Sequence, residues 1–472
     1  MHESSTLKPA HPPKKGFELW QKILFALILG VIIGLCFGKD TLTYLQSEAL
    51  HNPNSLIQFL LQLHPYGVKF VAFIKPVGDI FVNAIKMIVV PIVFISIVCG
   101  MVSITNPKTM GRMGIKTLGI FIATMALASV VGLLFAHFTQ PGSDILQEEM
   151  QVSAVTQTVD ANGTHHKQSV ADLITNLVPS NPVQAMATAN ILQVVVFAFV
   201  FGIALVLAGE AGKPVSEFFI SLAAVVQHIP RMVMRFAPYG VFALMVNVSA
   251  HFGLAIIGDL LLSVGTIYAA CISFALIFYS LILRVYAGLS PIPFFKGITE
   301  AMSFAYSTTS SAATLPYTSH CTEKNLGVPK QISNFVLPLA TAVNLNGLSI
   351  YLSVVAVFAA NLFGIELTLG QYIMIVLTGS LGSMGASGVP GSGLMVMAMV
   401  LGAIGLNAEG VAIVIAMFAG VDRMIDMMTT TVNVTGDAFV SVIVAKSENV
   451  LDTKIYNQPE VVHFSQEKTG NI

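Results

Sequence analysis

Residues 419–437 read AGVDRMIDMMTTTVNVTGD, a polar stretch inside a strongly apolar part of the chain. Its polar residues recur at offsets of 0, 4, 7, 8, 11 and 15 positions, counted from the first aspartate. On a helix that turns about 100° per residue, these positions fall within a stripe roughly 100° wide. We therefore predict one helix with its polar groups on a single face, formed by Asp422, Asp426, Thr429, Thr430, Asn433 and Asp437.

The composition places this helix in a membrane. Of 472 residues, 55% are hydrophobic and 10% are charged, whereas soluble domains contain about 25% charged residues. An all-α polytopic membrane protein is the predicted class. No basic patch indicates nucleic acid as a partner, and no nucleophile–base pair, phosphate loop or metal motif indicates an enzyme. Several nearly uncharged runs approach the roughly 20 residues that cross hydrocarbon, namely Ile23–Phe37, Met87–Val102, Ile191–Ala208, Leu260–Leu283 and Leu352–Leu362.

Three carboxylates on one face are costly in such a setting. An aspartate at the centre of a membrane helix costs about 2.5–3.5 kcal/mol even on the lower insertion scales. The stripe is therefore expected to face a cation or a polar ligand, with hydrogen bonding between helices as the structural alternative. Arg423 adjoins Asp422 in sequence, but on a helix it points about 100° away.

Charge placement predicts the orientation of the chain. Basic residues in short loops favour the cytoplasmic side, and they precede the first apolar run (Lys8, Lys14, Lys15) and the third (Lys108, Arg112, Lys116). We predict cytoplasmic tails over 1–18 and 448–472 and a polar outer loop over 140–181. The predicted spanning helices of the first half are 19–37, 75–104, 112–139, 173–208, 216–247 and 254–287.

The second half is interrupted twice by small and polar residues. Ser307–Pro316 divides one apolar block, Gly382–Gly393 divides another, and each is followed by a helix with polar residues at depth. Irregular backbone inside a membrane is tolerated only where protein or a water-filled cavity satisfies it. Paired interruptions in two corresponding segments indicate the solute site of a secondary transporter. Close helix packing is the simpler explanation of one interruption, but it does not explain two in register.

Four motifs follow one another in the second half: SSAATLP at 310–316, NLNG at 344–347, GVPGSG at 388–393, and Asp426 with NVTGD at 433–437. In this order they resemble the dicarboxylate/amino acid:cation symporter family, and the resemblance extends from the first helix to about Ser447. It implies eight transmembrane helices, two re-entrant hairpins, a homotrimer and an elevator mechanism, and we expect a bacterial inner membrane as the location. The implied division is scaffold over 19–111 and 140–253, and transport domain over 112–139 and 254–447.

The resemblance also implies a site for an amino acid. Ser310 and Ser311 at the first hairpin tip would bind the α-carboxylate, and Asp426 would bind the α-amino group. Thr430 and Asn433 would add hydrogen bonds. The second hairpin, around Val389–Gly393, would close as the gate.

Several departures from the family pattern concern the solute side chain. Thr429 stands where glutamate transporters have an arginine, Thr309 stands at an alternative arginine position, and Leu348 and Ala386 replace threonines. Burial of an anionic side chain without a cationic partner is unfavourable. We therefore expect cation-coupled symport or exchange of a neutral amino acid. The alternatives are an acidic amino acid or a dicarboxylate, with Arg423 or an unrecognised cation in place of the missing arginine, and an anion or ion channel.

Sodium is the expected co-transported ion, since hard cations prefer oxygen ligands. The resemblance implies one site from Asn344, Asn433, Asp437 and the Ala340 carbonyl. A second would use carbonyls near Ser383, Met384 and Ala386. A third is depleted, since Asn346 replaces a carboxylate and Phe121 and Met125 replace hydroxyl residues around Thr124. Leu352 replaces the glutamate of proton-coupled members. At most two sodium ions per solute are expected.

Overall fold

The computed structural model describes residues 19–38, 41–43, 45–47, 55–102, 110–143, 178–188, 191–226, 228–253, 255–386, 391–458 and 460–464. Within these ranges the regular secondary structure is helical, and no β-strand forms. Five helical segments are long and apolar enough to cross a bilayer: Gln21–Thr43, Leu61–Cys99, Met113–Thr139, Ile256–Val285 and Lys330–Leu362. This agrees with the expected polytopic class, whereas the count of eight spanning helices and two hairpins stays a prediction.

Within the described residues, the first half of the chain contains the eight α-helices named next, besides helical residues at 41–43 and 45–47 and the 3-10 helix Gly209–Gly212. They are α1 Leu19–Cys36, α2 Ser55–Val102, α3 Met110–Thr139, α4 Pro182–Ala187, α5 Ile191–Leu207, α6 Lys213–Val226, α7 His228–Met234 and α8 Ala237–Phe252. The second half begins with α9, which runs from Ala255 to Val285 through a π-helical stretch at Phe274–Tyr279.

The remaining helices build the two interrupted segments and the polar helix. They are α10 Pro291–Thr308, α11 Ser311–His320, α12 Lys330–Val343, α13 Asn346–Leu362, α14 Leu369–Gly385, α15 Ser392–Ala403, α16 Ala408–Ser447 and α17 Thr453–Tyr456. We call α10–α11 the first hairpin and α14–α15 the second hairpin, because the helices of each pair pack on one another. Helix α3 packs along α13; the division into scaffold and transport domains stays a prediction.

Three predicted helices of the first half were wrong in extent. Helix α2 starts at Ser55, 20 residues before the predicted start at 75, and continues through Pro65, Pro76 and Pro91. A proline removes one backbone hydrogen bond and bends a helix, but a long apolar helix in a membrane tolerates it. The prediction 216–247 is divided among α6, α7 and α8, and 173–208 is divided between α4 and α5. Residues 144–177, most of the predicted outer loop, lie outside the described residues.

Helices α1 and α8 pack closely and parallel to each other through a glycine row. A Cβ atom on Gly30 would lie 2.8 Å from the Phe242 carbonyl oxygen, and one on Gly34 would lie 2.5 Å from the Val246 oxygen. Successive contacts advance in the same direction along both helices. The two helices are therefore parallel, and their N-terminal ends lie on the same side of the molecule. Glycines at four-residue spacing permit this approach of two backbones in lipid.

The C-terminal segment is fastened to the base of the first hairpin. The Asp452 amide donates to the Gly327 carbonyl at 2.9 Å, and the buried Tyr456 hydroxyl donates to the Ser290 carbonyl at 2.8 Å. Further on, the Asn325 side chain pairs with both the amide and the carbonyl of Val462, at 2.9 and 3.2 Å. The part of the predicted tail up to residue 464 therefore makes specific contacts.

An ion pair joins the ends of two other helices on the same side. The Lys116 ammonium, near the start of α3, lies 2.5 Å from the Glu448 carboxylate just beyond α16. This contact is consistent with the predicted common cytoplasmic placement of the loop before α3 and the C-terminal segment.

The glycine row provides the first prediction. Gly34→Ala should destabilise the protein by about 1–3 kcal/mol, since its methyl group would overlap the Val246 carbonyl. Gly119→Ala is the matched control, because a Cβ there meets nothing within 4 Å and alanine favours the helix. Thermal unfolding in detergent, followed by circular dichroism, measures both. Equal melting temperatures for the two variants would contradict the packing described.

Candidate transport site

The polar stripe of α16 faces the interior of the helical bundle. Helix α16 is surrounded by α8, α9, α10, α12, α13 and α15, and all six stripe residues are buried. The predicted face is therefore confirmed as an interior face. The hydrogen-bond partners of these six residues determine which ligand each of them could bind.

The C-terminal end of the stripe, at Asn433 and Asp437, contacts the break between α12 and α13. Asn344 lies in this break with a non-helical backbone, and its amide donates to the Asp437 carboxylate at 3.1 Å. The side-chain oxygen Oδ1 of Asn433 accepts a hydrogen bond from the Gly347 backbone amide at 2.7 Å. The structure thus brings together three residues of the expected cation site, with Ala340 buried one turn before Asn344.

A cation here would rely on neutral oxygens as well as on Asp437. Within the described residues, no group of three His, Cys, Asp or Glu side chains converges on one point. Amide and backbone carbonyl oxygens, which the break in α12–α13 exposes, are suitable ligands for Na⁺. In the second hairpin, Ser383, Met384 and Ala386 are buried at the end of α14, and the Ser383 hydroxyl accepts from Ser349 at 3.0 Å.

At the position expected for a third cation, the side chains are neutral, and the polar ones form hydrogen bonds with one another or with the backbone. The Asn346 amide donates to the Tyr279 hydroxyl at 2.9 Å. Thr124 donates its hydroxyl to the Ile120 carbonyl at 2.9 Å, and Phe121 and Met125 are fully buried beside it. The side-chain oxygen Oδ1 of Asn346 has no hydrogen-bond partner among the described residues.

The N-terminal part of the stripe, at Asp422 and Asp426, lies beside the second hairpin and α13. The Gly391 amide donates to the Asp426 carboxylate at 2.7 Å, and Tyr351 donates its hydroxyl to Asp422 at 3.1 Å. Gly391 has a φ of +80°, which glycine adopts without strain. Gly393 lies against the Tyr351 ring and Leu348. The expected gate residue Val389 lies outside the described residues.

The first hairpin tip approaches α16 from the other side. Thr309 has a left-handed backbone conformation, with φ of 52°. Ser310 caps α11 by accepting from the Ala313 amide at 3.3 Å, and Ser311 is buried. The Arg423 guanidinium donates to the Thr309 hydroxyl, and Arg423 itself lies one turn before Asp426 on α16.

Arg423 is only partly satisfied in this position. Its Nε is buried without a hydrogen-bond partner in the described structure. No carboxylate of the described residues lies within 4 Å of the guanidinium, and its one hydrogen bond goes to a neutral hydroxyl. Sequence reasoning placed Arg423 away from Asp422 but did not locate the hairpin tip as its destination.

Buried carboxylates, broken helices and hairpin tips that converge inside a membrane bundle define a secondary transporter. The family model described as the sodium:dicarboxylate symporter family matches residues 19–447. The chain belongs to this family, as its motifs predicted; it is a multi-pass membrane transporter rather than an enzyme, and sodium is its co-transported ion.

Named relatives cover nearly the whole chain. The proton/sodium-glutamate symport protein of Bacillus subtilis (strain 168) is 34% identical over 438 residues, 92% of this chain and 94% of the relative. The proton/glutamate-aspartate symporter of Escherichia coli (strain K12) is 34% identical over 443 residues, 93% of this chain and 94% of the relative. The C4-dicarboxylate transport protein of Bacillus subtilis (strain 168) is 36% identical over 441 residues, 92% and 94% of the two chains.

These names bear on two expectations from the sequence. The relatives are bacterial, which agrees with the expected inner membrane location. The solutes in these names agree better with the acidic amino acid and dicarboxylate alternative than with the neutral amino acid that was expected first.

Asp426 provides a direct test of the site. If Asp426 binds an α-amino group of the solute, as the resemblance implies, Asp426→Asn should abolish stabilisation of the protein by its solute, because that group would lose a carboxylate in a dry pocket. A ligand that binds only the native state raises the melting temperature, so thermal shift against a panel of amino acids reports binding. Glu366→Gln, outside the stripe, controls for loss of a negative charge. If the solute raises the melting temperature of Asp426→Asn as much as that of the unmodified protein, Asp426 does not belong to the site.

Proposed function

We propose that this chain moves an acidic amino acid into the cell together with sodium. The observation that carries the proposal is Arg423, a half-buried arginine one turn before Asp426 on α16, whose guanidinium donates to the neutral Thr309 hydroxyl at the first hairpin tip and whose Nε is buried without a partner in the described structure. A guanidinium presents a planar fork of donors that matches a carboxylate. Asp426 would bind the α-amino group, and Arg423 would attract the second carboxylate of the solute.

The remaining contacts of the solute follow from the same arrangement. Ser310 and Ser311 would receive the α-carboxylate at the N-terminal end of α11, where unpaired backbone amides favour an anion. Thr430 and Asn433 would add hydrogen bonds from α16. The Gly391 amide holds Asp426 in the structure, so solute binding would exchange this contact for the solute amine and reposition the second hairpin.

A neutral amino acid is the second candidate, and Thr429 and Leu348 favour it. Both side chains are buried, with exposed fractions of 2% and 3%, and Gly347 lies directly against the Thr429 backbone. A pocket lined by these groups offers no positive charge to an anionic side chain. If Arg423 stays on Thr309 when the solute binds, desolvation of a second carboxylate would disfavour acidic solutes.

We also propose the assembly and motion implied by the resemblance, a homotrimer with an elevator movement. The scaffold helices α5–α8 support it, because many of their large apolar side chains are exposed, including Leu207 at 81% and Val225 at 61%. Exposed apolar surface of this extent fits contact with lipid or with another subunit. Cross-linking of the purified protein in liposomes measures the subunit number.

Competition for uptake separates the two solute classes. Aspartate and glutamate should compete with a labelled solute in liposomes, whereas alanine, serine and threonine should compete poorly. Arg423→Gln should weaken competition by aspartate about tenfold or more, since hydrogen bonds to charged groups contribute about 1.5–3 kcal/mol. Arg284→Gln, at the exposed end of α9, is the control. Potent competition by neutral amino acids alone would favour the second candidate and reject the first.

Sodium stoichiometry provides a further prediction. At most two sodium ions should accompany each solute, because Asn346 supplies no charge and its amide is committed to Tyr279. Loss of a carboxylate removes the main Coulomb attraction of a buried cation site. Reversal potentials in liposomes with set sodium and solute gradients give the number. Three ions per solute would show that the third position is still used, and transport indifferent to sodium would exclude the site at Asp437.

A further inference from the structure

A cavity of about 640 Å³ opens between α1 and α8, near the N-terminal end of both helices. Its lining is divided by chemistry. Lys22 and Arg235 provide two positive charges, and Phe25, Leu29, Tyr239 and Phe242 provide an apolar wall. The cavity is separated from the transport site, which is built on α10–α16.

The two charges lie at the same level of the molecule. Gly30 of α1 faces Phe242 of α8, and Lys22 and Arg235 precede these residues by eight and seven positions. With a rise of 1.5 Å per residue, Lys22 lies about 12 Å from this contact along α1, and Arg235 lies on the same side, two residues before α8 begins. Because the tail before α1 is predicted to be cytoplasmic, the charges lie at the cytoplasmic surface of the membrane.

We propose that this cavity binds one anionic phospholipid of the cytoplasmic leaflet. The phosphate would lie between Lys22 and Arg235, and an acyl chain would follow Phe25 and Leu29. Basic pockets between membrane helices on this side suit anionic headgroups. No described carboxylate lies within 4 Å of either charge.

The apolar wall supports a lipid rather than a soluble anion. Phe25 and Tyr239 each expose 68% of their surface, which is unfavourable in water and suitable against an acyl chain. A free phosphate would use the two charges and leave this wall uncovered. Lysine and arginine side chains at helix ends also extend their charged groups toward the headgroup region, with their apolar stems against lipid.

Fluorescence of one tryptophan placed in the cavity wall reports on this site. Trp20 is the single tryptophan, but its position on α1 is about 200° from that of Lys22. The starting protein is therefore W20F/F25W, unmodified at Lys22 and Arg235, in which the indole replaces a residue of the cavity lining. Brominated acyl chains quench tryptophan fluorescence on contact, so quenching measures which lipid lies beside the start of α1. The protein would be reconstituted in vesicles of equal parts phosphatidylcholine and phosphatidylglycerol, with one or the other lipid brominated.

In this starting protein, brominated phosphatidylglycerol should quench more strongly than brominated phosphatidylcholine. Each basic residue near an anionic surface is worth about fivefold in binding. The variant K22Q/R235Q should therefore lose at least about fivefold of the preference, whereas K22R/R235K should retain it. Arg284→Gln, a basic residue at the end of α9, should also retain it.

Equal quenching by the two lipids in the starting protein would overturn the proposal, as would an unchanged preference in K22Q/R235Q. Size-exclusion chromatography checks that the variants fold. If the double variant aggregates, K22Q and R235Q are tested singly, and each should lose part of the preference. Inorganic phosphate added to phosphatidylcholine vesicles should leave the fluorescence unchanged; saturable quenching or enhancement by phosphate would assign the cavity to a soluble anion instead of a lipid.

Discussion

The burial of three carboxylates on α16 is the constraint that organises the second half of this protein. Each carboxylate has a donor from a different segment: Asn344 for Asp437, Gly391 for Asp426 and Tyr351 for Asp422. Asn344 donates through its side chain from the break between α12 and α13, whereas Gly391 donates its backbone amide where α15 begins. A continuous helix would use the Gly391 amide internally, so the contact with Asp426 depends on this helix start.

The second half was the part that the sequence predicted best. The interruptions at Ser307–Pro316 and Gly382–Gly393 coincide with the two hairpin tips, and the stripe of α16 is buried as its periodicity indicated. Glycine, proline and serine mark such breaks because they act on the backbone locally. In the first half, the helix predicted over 75–104 begins 20 residues earlier, and α2 continues through three prolines, which a long apolar helix in a membrane tolerates.

The side-chain contacts could not be derived in the same way. Tyr279 and Asn346 are separated by 67 residues, and Tyr351 and Asp422 by 71, and no periodic pattern links such pairs. Arg423 illustrates the effect on function. Its helical position excluded a contact with Asp422 but did not indicate that the hairpin tip lies within its reach. The neutral solute was expected from Thr429, Thr309, Leu348 and Ala386, and Arg423 was considered only as the cation of the acidic alternative.

The fastening of the C-terminal segment has a practical consequence for handling the protein. Phe464, whose amide donates to Glu300 of α10 at 2.9 Å, is followed by eight residues. Eight extended residues span about 27 Å, so a fluorescent protein fused at Ile472 would be tethered close to the base of the first hairpin. Any bulk or pull at that end acts on Asn325 and Val462. An affinity tag or fluorophore is better carried at the N-terminus, where 18 residues precede α1.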